Sequence, residues 1–348
     1  MKCRICQAES DLDPNQGLCQ ACREKLQSAA FDSKVLAEKA GEQPAPQIPE
    51  TGRHGPRGAR GRELWQSTAA GGAQCVWPIS VAVHPSKDIL VLDEPEEYRI
   101  LRLDKQGRCT EVLIEIPAED VEGGVEDPQD LCVDSAGGIY VSDAANDRIS
   151  VWDSQGKFSH WIGDAGSQLG QFAHPGGVEV DSDGFLYVAD TFNHRVQKLS
   201  ADGLVSLEVE DLGSWGRFRM PVAVTMDAEG NLYVADVELK LVIKLSPDGS
   251  PLQSLPPAGN KQRLFEAPHD VRVGADGAWH VSDSRNTRIR RFRPDGTLSG
   301  VIDLAPSGKE GSDGGDIALL DGGVLVVDRL KDRVVYMEFE TVEREAGS

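Results

Sequence analysis

The sequence predicts an all-β chain, a six-bladed β-propeller preceded by a small zinc-binding module and a short helix. Three observations predict it. An aspartate that closes a short apolar strand recurs at Asp93, Asp143, Asp190, Asp236, Asp283 and Asp328, at intervals of 50, 47, 46, 47 and 45 residues. A period of that size, filled with alternating apolar residues and Asp/Gly turns, means several short antiparallel strands per repeat, which is the signature of propeller blades. Four cysteines stand before the repeats as two Cys-x-x-Cys pairs, separated from them by a stretch rich in Pro, Gly and Arg. The chain therefore divides into a zinc module with its helix (1–40), a linker (41–61), the propeller (62–340) and a tail (341–348).

Composition narrows the class. The 348 residues carry 36 Lys+Arg against 57 Asp+Glu, a net charge of −21. Residues 1–62 hold 10 basic and 8 acidic groups, so the remainder is at −23. Such acidity argues against a general nucleic-acid binder, because phosphate contacts need clustered Lys and Arg. No apolar window approaches the ~18 residues of a membrane-spanning helix. The first 22 residues lack the apolar run of a secretory signal, which gives a cytoplasmic expectation.

The first element is Cys3-x2-Cys6-x12-Cys19-x2-Cys22. Two such knuckles offer four thiolates to one tetrahedral ion, so the expectation is structural Zn²⁺, with a rubredoxin-like iron as the rival. Four thiolates close the coordination sphere and leave no place for a catalytic water. Ala21–Lys39 then reads as a helix, with Leu26, Ala29, Ala30, Val35 and Leu36 on one side. The linker, with Pro44, Pro46, Pro49, Pro56 and the arginines Arg53, Arg57 and Arg60, has no hydrophobic period and reads as an extended tether.

The blades follow. The clearest copy runs from Pro175 to Gly203 as strand, Asp/Gly turn, strand, four-residue loop, strand and hairpin. Pro78, Pro128, Pro175, Pro221 and Pro268 open five copies, and Gly314 stands in the sixth. Five residues after the anchor aspartate comes Arg148, Arg195, Arg288 or Arg333, but Tyr98 and Leu241 in the first and fourth copies. These Asp and Arg residues are expected to stiffen turns: an aspartate after a strand accepts loop N–H groups, and the arginine pairs with it. The sixth copy has no room for a fourth strand, and residues 62–68 are expected to supply it and close the ring.

Here the chain resembles the NHL-repeat family, on Tyr187-Val-Ala-Asp190-Thr-Phe-Asn193-His194-Arg195-Val196, Ser142-Asp-Ala-Ala-Asn146-Asp-Arg148-Ile149 and Ser282-Asp-Ser-Arg-Asn286-Thr-Arg288-Ile289. The resemblance implies a six-bladed propeller over about residues 63–340. It also brings in metal-dependent lyases, in which histidines just after the blade-opening proline converge on an axial metal. The matching positions here are Ile79, Gln129, Gly176, Val222, His269 and Gly315, with a single histidine among them. The next positions are Ser80, Asp130, Gly177, Ala223, Asp270 and Asp316. Gln129, Asp130, His269, Asp270 and Asp316 thus form a candidate channel-mouth site for a hard cation such as Ca²⁺. Glu179 lies close enough in register to join it and Arg272 to neutralise it.

No nucleophile elbow or phosphate-binding loop is present. Cys132 reads as a buried strand residue, and His160 and His280 as core histidines. Arg285, Arg288, Arg290, Arg291 and Arg293 make a basic patch that raises RNA binding only as a minor reading. The sequence therefore leads to a non-catalytic expectation: a protein–protein scaffold or accessory subunit of a larger assembly, docking through propeller faces and the tethered zinc module. The alternative is a lyase or hydrolase working at the channel mouth around His269, Asp270 and Asp130.

Overall fold

In the computed structural model the described residues are 61–67, 74–117, 121–257, 264–304 and 315–339. The four cysteines, the expected helix, nearly all of the linker and the tail lie outside them. Among the described residues, six four-stranded antiparallel sheets form, together with one two-residue parallel pair between Asp164–Ala165 and Gln171–Phe172. Blade 1 shows the pattern: Pro78–Val83, Ile89–Asp93, Arg99–Leu103 and Cys109–Glu115 in sequence order. The first strands of successive blades, Pro78–Val83, Pro128–Val133, Pro175–Val180, Pro221–Met226, Pro268–Val273 and Ile317–Leu320, touch one another in cyclic order. They line the axis.

Ring closure uses a strand from before blade 1. Gly61–Gln66 pairs antiparallel with Arg333–Phe339 as the outer strand of blade 6. Trp65 lies opposite Tyr336, with ring centroids 5.5 Å apart, and Ser67 N–H donates to the Val334 carbonyl at 2.7 Å. Without that strand, Arg333–Phe339 would be an open edge.

The core is divided among the blade interfaces. Val81, Val91, Leu101, Leu325 and Val327 fill the space between blades 1 and 6, and Leu90, Ile100, Leu131 and Trp152 that between blades 1 and 2. Four further clusters repeat this around the ring. Each fully buried Val, Leu or Ile contributes about 1.5–3 kcal/mol, so the stability is distributed over flat sheet faces and the axis is left free for polar side chains.

The anchor aspartates are buried and fix one end of each blade. In blade 1, Pro78 pairs with Asp93 and Asp93 with Arg99, so the blade-opening proline and the loop between the second and third strands share an end of the ring. Asp93 Oδ1 accepts the N–H groups of Val76 and Trp77, each at 2.9 Å. Asp190 and Asp236 hold the segments before Pro175 and Pro221 in the same way. The arginine partners are partly as expected. Arg148, Arg195 and Arg333 bind Asp143, Asp190 and Asp328. In blade 1 the loop is one residue longer, so Arg99 rather than Tyr98 meets Asp93. In blade 5, Arg288 pairs outward with Asp303, and Arg290, whose side chain points inward, reaches Asp283. Arg291 pairs with Asp276, so three arginines of the basic patch are held by carboxylates of the same blade. His280 is buried as expected, whereas His160 is exposed because its strand, Phe158–Ile162, is the outer edge of its blade.

Candidate active site at the channel mouth

The site forms where the six blade-opening segments meet. Strand alternation sends the second residue after each proline toward the axis, and this ring reads Ser80, Asp130, Gly177, Ala223, Asp270 and, in blade 6, Asp316. Three of these carboxylates bridge to the next blade. Asp130 Oδ2 accepts from Val178 N at 2.9 Å, Asp270 Oδ2 from Ile317 N at 3.0 Å, and Asp316 Oδ2 from Val81 N at 2.8 Å. Ser80 Oγ serves the same purpose toward Leu131 N at 3.1 Å. Blades 3 and 4 have no such side chain, because their backbones approach too closely. A Cβ on Gly177 would stand 2.6 Å from Ala223 Cα.

One layer deeper, Arg272 enters from blade 5. Its guanidinium lies 3.3 Å from Asp270 and Asp316, 3.4 Å from Glu179 and 3.8 Å from Asp130, and its Nε donates to the Ile317 carbonyl at 2.8 Å. Thr225 of blade 4 donates to Glu179 at 3.2 Å. Burial, with Asp316 nearby, pushes Asp130 up to about 7, and burial pushes Asp270 well above the usual carboxylate range. Asp316 is also buried, but Arg272 and its hydrogen bonds hold it low. Ser80 Oγ sits 2.8 Å from Asp130 and 2.7 Å from Asp316. A hydroxyl has one proton to give, so these two contacts call for a proton on one carboxyl, and Asp130 is the partner whose surroundings favour it.

The channel mouth lies above this layer, and loops between second and third strands complete it. Blade 5 brings His269, and burial and then the Arg329 charge lower its pKa to about 4, so its imidazole is neutral at pH 7. Blade 6 brings Arg329, which donates to the Ile79 carbonyl at 3.2 Å. Blade 1 brings half-buried Glu94, its pKa raised from the ordinary value by burial and then by Asp127, and hydrogen-bonded to Tyr98. Blade 2 brings Asp127 and Gln129, whose Nε2 donates to Asp127 Oδ1 at 2.7 Å. Trp77 and Leu330 are exposed on loops at the same end and give the rim an apolar edge.

The residues expected at the mouth therefore separate into two layers. Asp130, Asp270 and Asp316 face inward and are engaged by Arg272 and by backbone N–H groups. Gln129 and His269 remain at the opening. Sequence reasoning missed Glu94, Tyr98 and Arg329. They lie in the blade-stiffening loops; Glu94 and Tyr98 carry one sequence signal, the departure of the first copy from the loop pattern, and Arg329 in the sixth copy carries none. A metal in the manner of the lyases does not fit this set. Ile79, Gly176, Val222 and Gly315 offer no side-chain ligand, and the inner carboxylates already hold a guanidinium. Among the described residues, no group of three or more His, Cys, Asp or Glu is placed to hold a metal ion. Cys75, Cys109 and Cys132 are buried thiols, Cys75 raised to about 12 by burial and Cys132 raised well above the ordinary range by the same cause. Among the described residues no helix is long and apolar enough to cross a membrane.

The family described as SMP-30/Gluconolactonase/LRE-like region matches residues 59–262, more than half of the chain, and the chain belongs to it. No curated protein matches the chain. Among solved structures, it is similar to a catalytically inactive virginiamycin B lyase from Staphylococcus aureus with quinupristin. The TM-score is 0.56 at 13% identity, covering 81% of this chain and 99% of that one. A gluconolactonase from Xanthomonas campestris matches with a TM-score of 0.54 at 14% identity, covering 77% and 87%. A protein of unknown function from Bacteroides thetaiotaomicron matches at 0.57 and 18%, covering 80% and 76%. At such identities these likenesses establish the propeller fold. The family corrects the functional expectation: the non-catalytic scaffold gives way to the enzymatic alternative. The physical reason for the error is specific. The positions following the blade-opening prolines carry only part of the mouth, and Glu94, Tyr98 and Arg329 reach it from loops between second and third strands.

Proposed function

We propose that the propeller is a ring-opening enzyme, a lactonase or lyase, that acts on a small cyclic ester at the channel mouth. The observation that carries this is a pair of titratable groups pushed in opposite directions on one rim: His269 is held neutral and Glu94 is held toward its protonated form, with the Arg329 charge felt by both. Environments that drive two such groups apart assign a base and an acid. In this reading His269 accepts a proton from the water that attacks the ester carbonyl, or, in an elimination, from the carbon next to the one that bears the ester oxygen, a C=C bond forming as the C–O bond breaks and the carboxylate leaves. In hydrolysis Glu94 gives a proton to the departing alkoxide oxygen, and Tyr98 orients Glu94. Arg329 faces the charge that develops on the carbonyl oxygen, where a fixed cation is worth most. Trp77 and Leu330 supply apolar surface for the ring of the substrate.

Family membership supports the ester class, and the names of the two characterised neighbours support ring opening. The test is turnover of a panel of aldonolactones and cyclic depsipeptides by the full-length protein, its His269→Ala form and its Glu94→Gln form. The expected result is hydrolysis or elimination of at least one substrate, with kcat reduced ~10²–10⁴-fold in either variant. Turnover that survives both substitutions unchanged, or no turnover across the panel, overturns the proposal.

A further inference from the structure

We propose that Arg272 is the resident cation of the propeller axis, a built-in guanidinium that does the work of a divalent ion and ties all six blades into one network. Each blade supplies a polar side chain to it. Ser80 comes from blade 1, Asp130 from blade 2, Glu179 from blade 3 and Thr225 from blade 4. Asp270 and Arg272 come from blade 5 and Asp316 from blade 6. Arg272 meets four carboxylates at 3.3–3.8 Å, and its side chain is almost fully buried.

The geometry suits a guanidinium and not a point ion. Calcium needs six to eight oxygens at 2.3–2.6 Å from one centre. Here three of the four carboxylates each spend an oxygen on the N–H of the next blade. What remains is spread around a planar fork of donors, the shape that arginine presents. A buried cation with this many partners is costly to remove, because the carboxylates it leaves behind repel one another out of reach of water. The positions where the family resemblance implies metal ligands are apolar or glycine at Ile79, Gly176, Val222 and Gly315. The charge of the inner carboxylates is balanced from inside the chain, by Arg272.

Arg272 lies below the groups of the mouth, and its role is read from stability without an activity measurement. Thermal unfolding of the full-length protein is compared for the wild type, Arg272→Met and Arg272→Lys, in EDTA and in about 5 mM CaCl2. Methionine keeps the volume and removes the charge; lysine keeps the charge and loses the fork. The wild type is expected to melt at the same temperature in both buffers. Arg272→Met is expected to melt at least about 5 °C lower in both buffers, with Arg272→Lys between them. If Arg272→Met does not fold, the wild type in the two buffers and a folded, destabilised Arg272→Lys carry the test. Stabilisation of the wild type by calcium, an Arg272→Met form that melts like the wild type, or one whose loss calcium makes good would each overturn the inference.

Discussion

Residue Trp65 offers a measurable handle on ring closure. Its ring stacks on Tyr336 at 5.5 Å and an interplanar angle of 29°. Its other side packs against the hairpin at Gly107 of blade 1, where a Cβ would come within 2.3 Å of the indole. Trp65 thus joins the last blade to the first across the point of closure. Truncating a fully buried aromatic costs about 3–5 kcal/mol, and Trp65 is only partly buried, so Trp65→Ala is expected to cost about 2 kcal/mol. A propeller of about 280 residues unfolds with an entropy near 0.6 kcal/mol per degree, at ~2.1 cal/mol/K per residue. The melting temperature should therefore fall by about 3–4 °C. Deleting 61–67 removes the whole strand, exposes the edge of Arg333–Phe339 and should yield aggregates. Differential scanning fluorimetry and size-exclusion chromatography read both effects. A Trp65→Ala protein with an unchanged melting point, or a monodisperse deletion variant that melts like the parent, would refute the closure argument.

Further outcomes are expected at the anchors and at His269. Asp190 receives Ala173 N–H, Asn193, Arg195 and Gln197, so Asp190→Ala deprives several buried donors of their acceptor and Arg195 of one of its two carboxylates, Glu208 being the other, and should cost about 3–5 kcal/mol by urea denaturation. Asp236 receives backbone N–H groups without an arginine, so Asp236→Ala should cost less, about 1–3 kcal/mol, and the reverse order would contradict the anchor assignment. His269, lowered to about 4, contributes stability that is complete above its unfolded value near 6.5 and is lost as pH falls toward 4. His269→Asn should therefore lose less stability than the wild type between pH 6.5 and 4. The acid limb of any kcat/KM profile should lie near pH 4; a limb at 6.5 would show that the imidazole is solvated.

The sequence by itself determined the repeat, the blade count and the closing strand. Each blade is written in contacts within about 50 residues, an anchor aspartate such as Asp190, a turn such as Ser182–Gly184 and alternating apolar residues, and short-range geometry leaves its period in the chain. It also named the residues of the inner ring, because strand alternation carries Asp130, Asp270 and Asp316 to the axis wherever the strand begins. It did not show what those residues do. Arg272 meets Glu179 across 93 residues, Arg329 meets Ile79 across 250, and Ser80 meets Asp316 across 236. Whether a carboxylate is a ligand, a latch between blades or the partner of a guanidinium depends on which charges share its burial, and burial is a property of the closed ring. The same holds for Glu94 and His269. Glu94 is raised by desolvation and by Asp127 from blade 2, His269 is lowered by desolvation and by Arg329 from blade 6, and no local pattern records these neighbours.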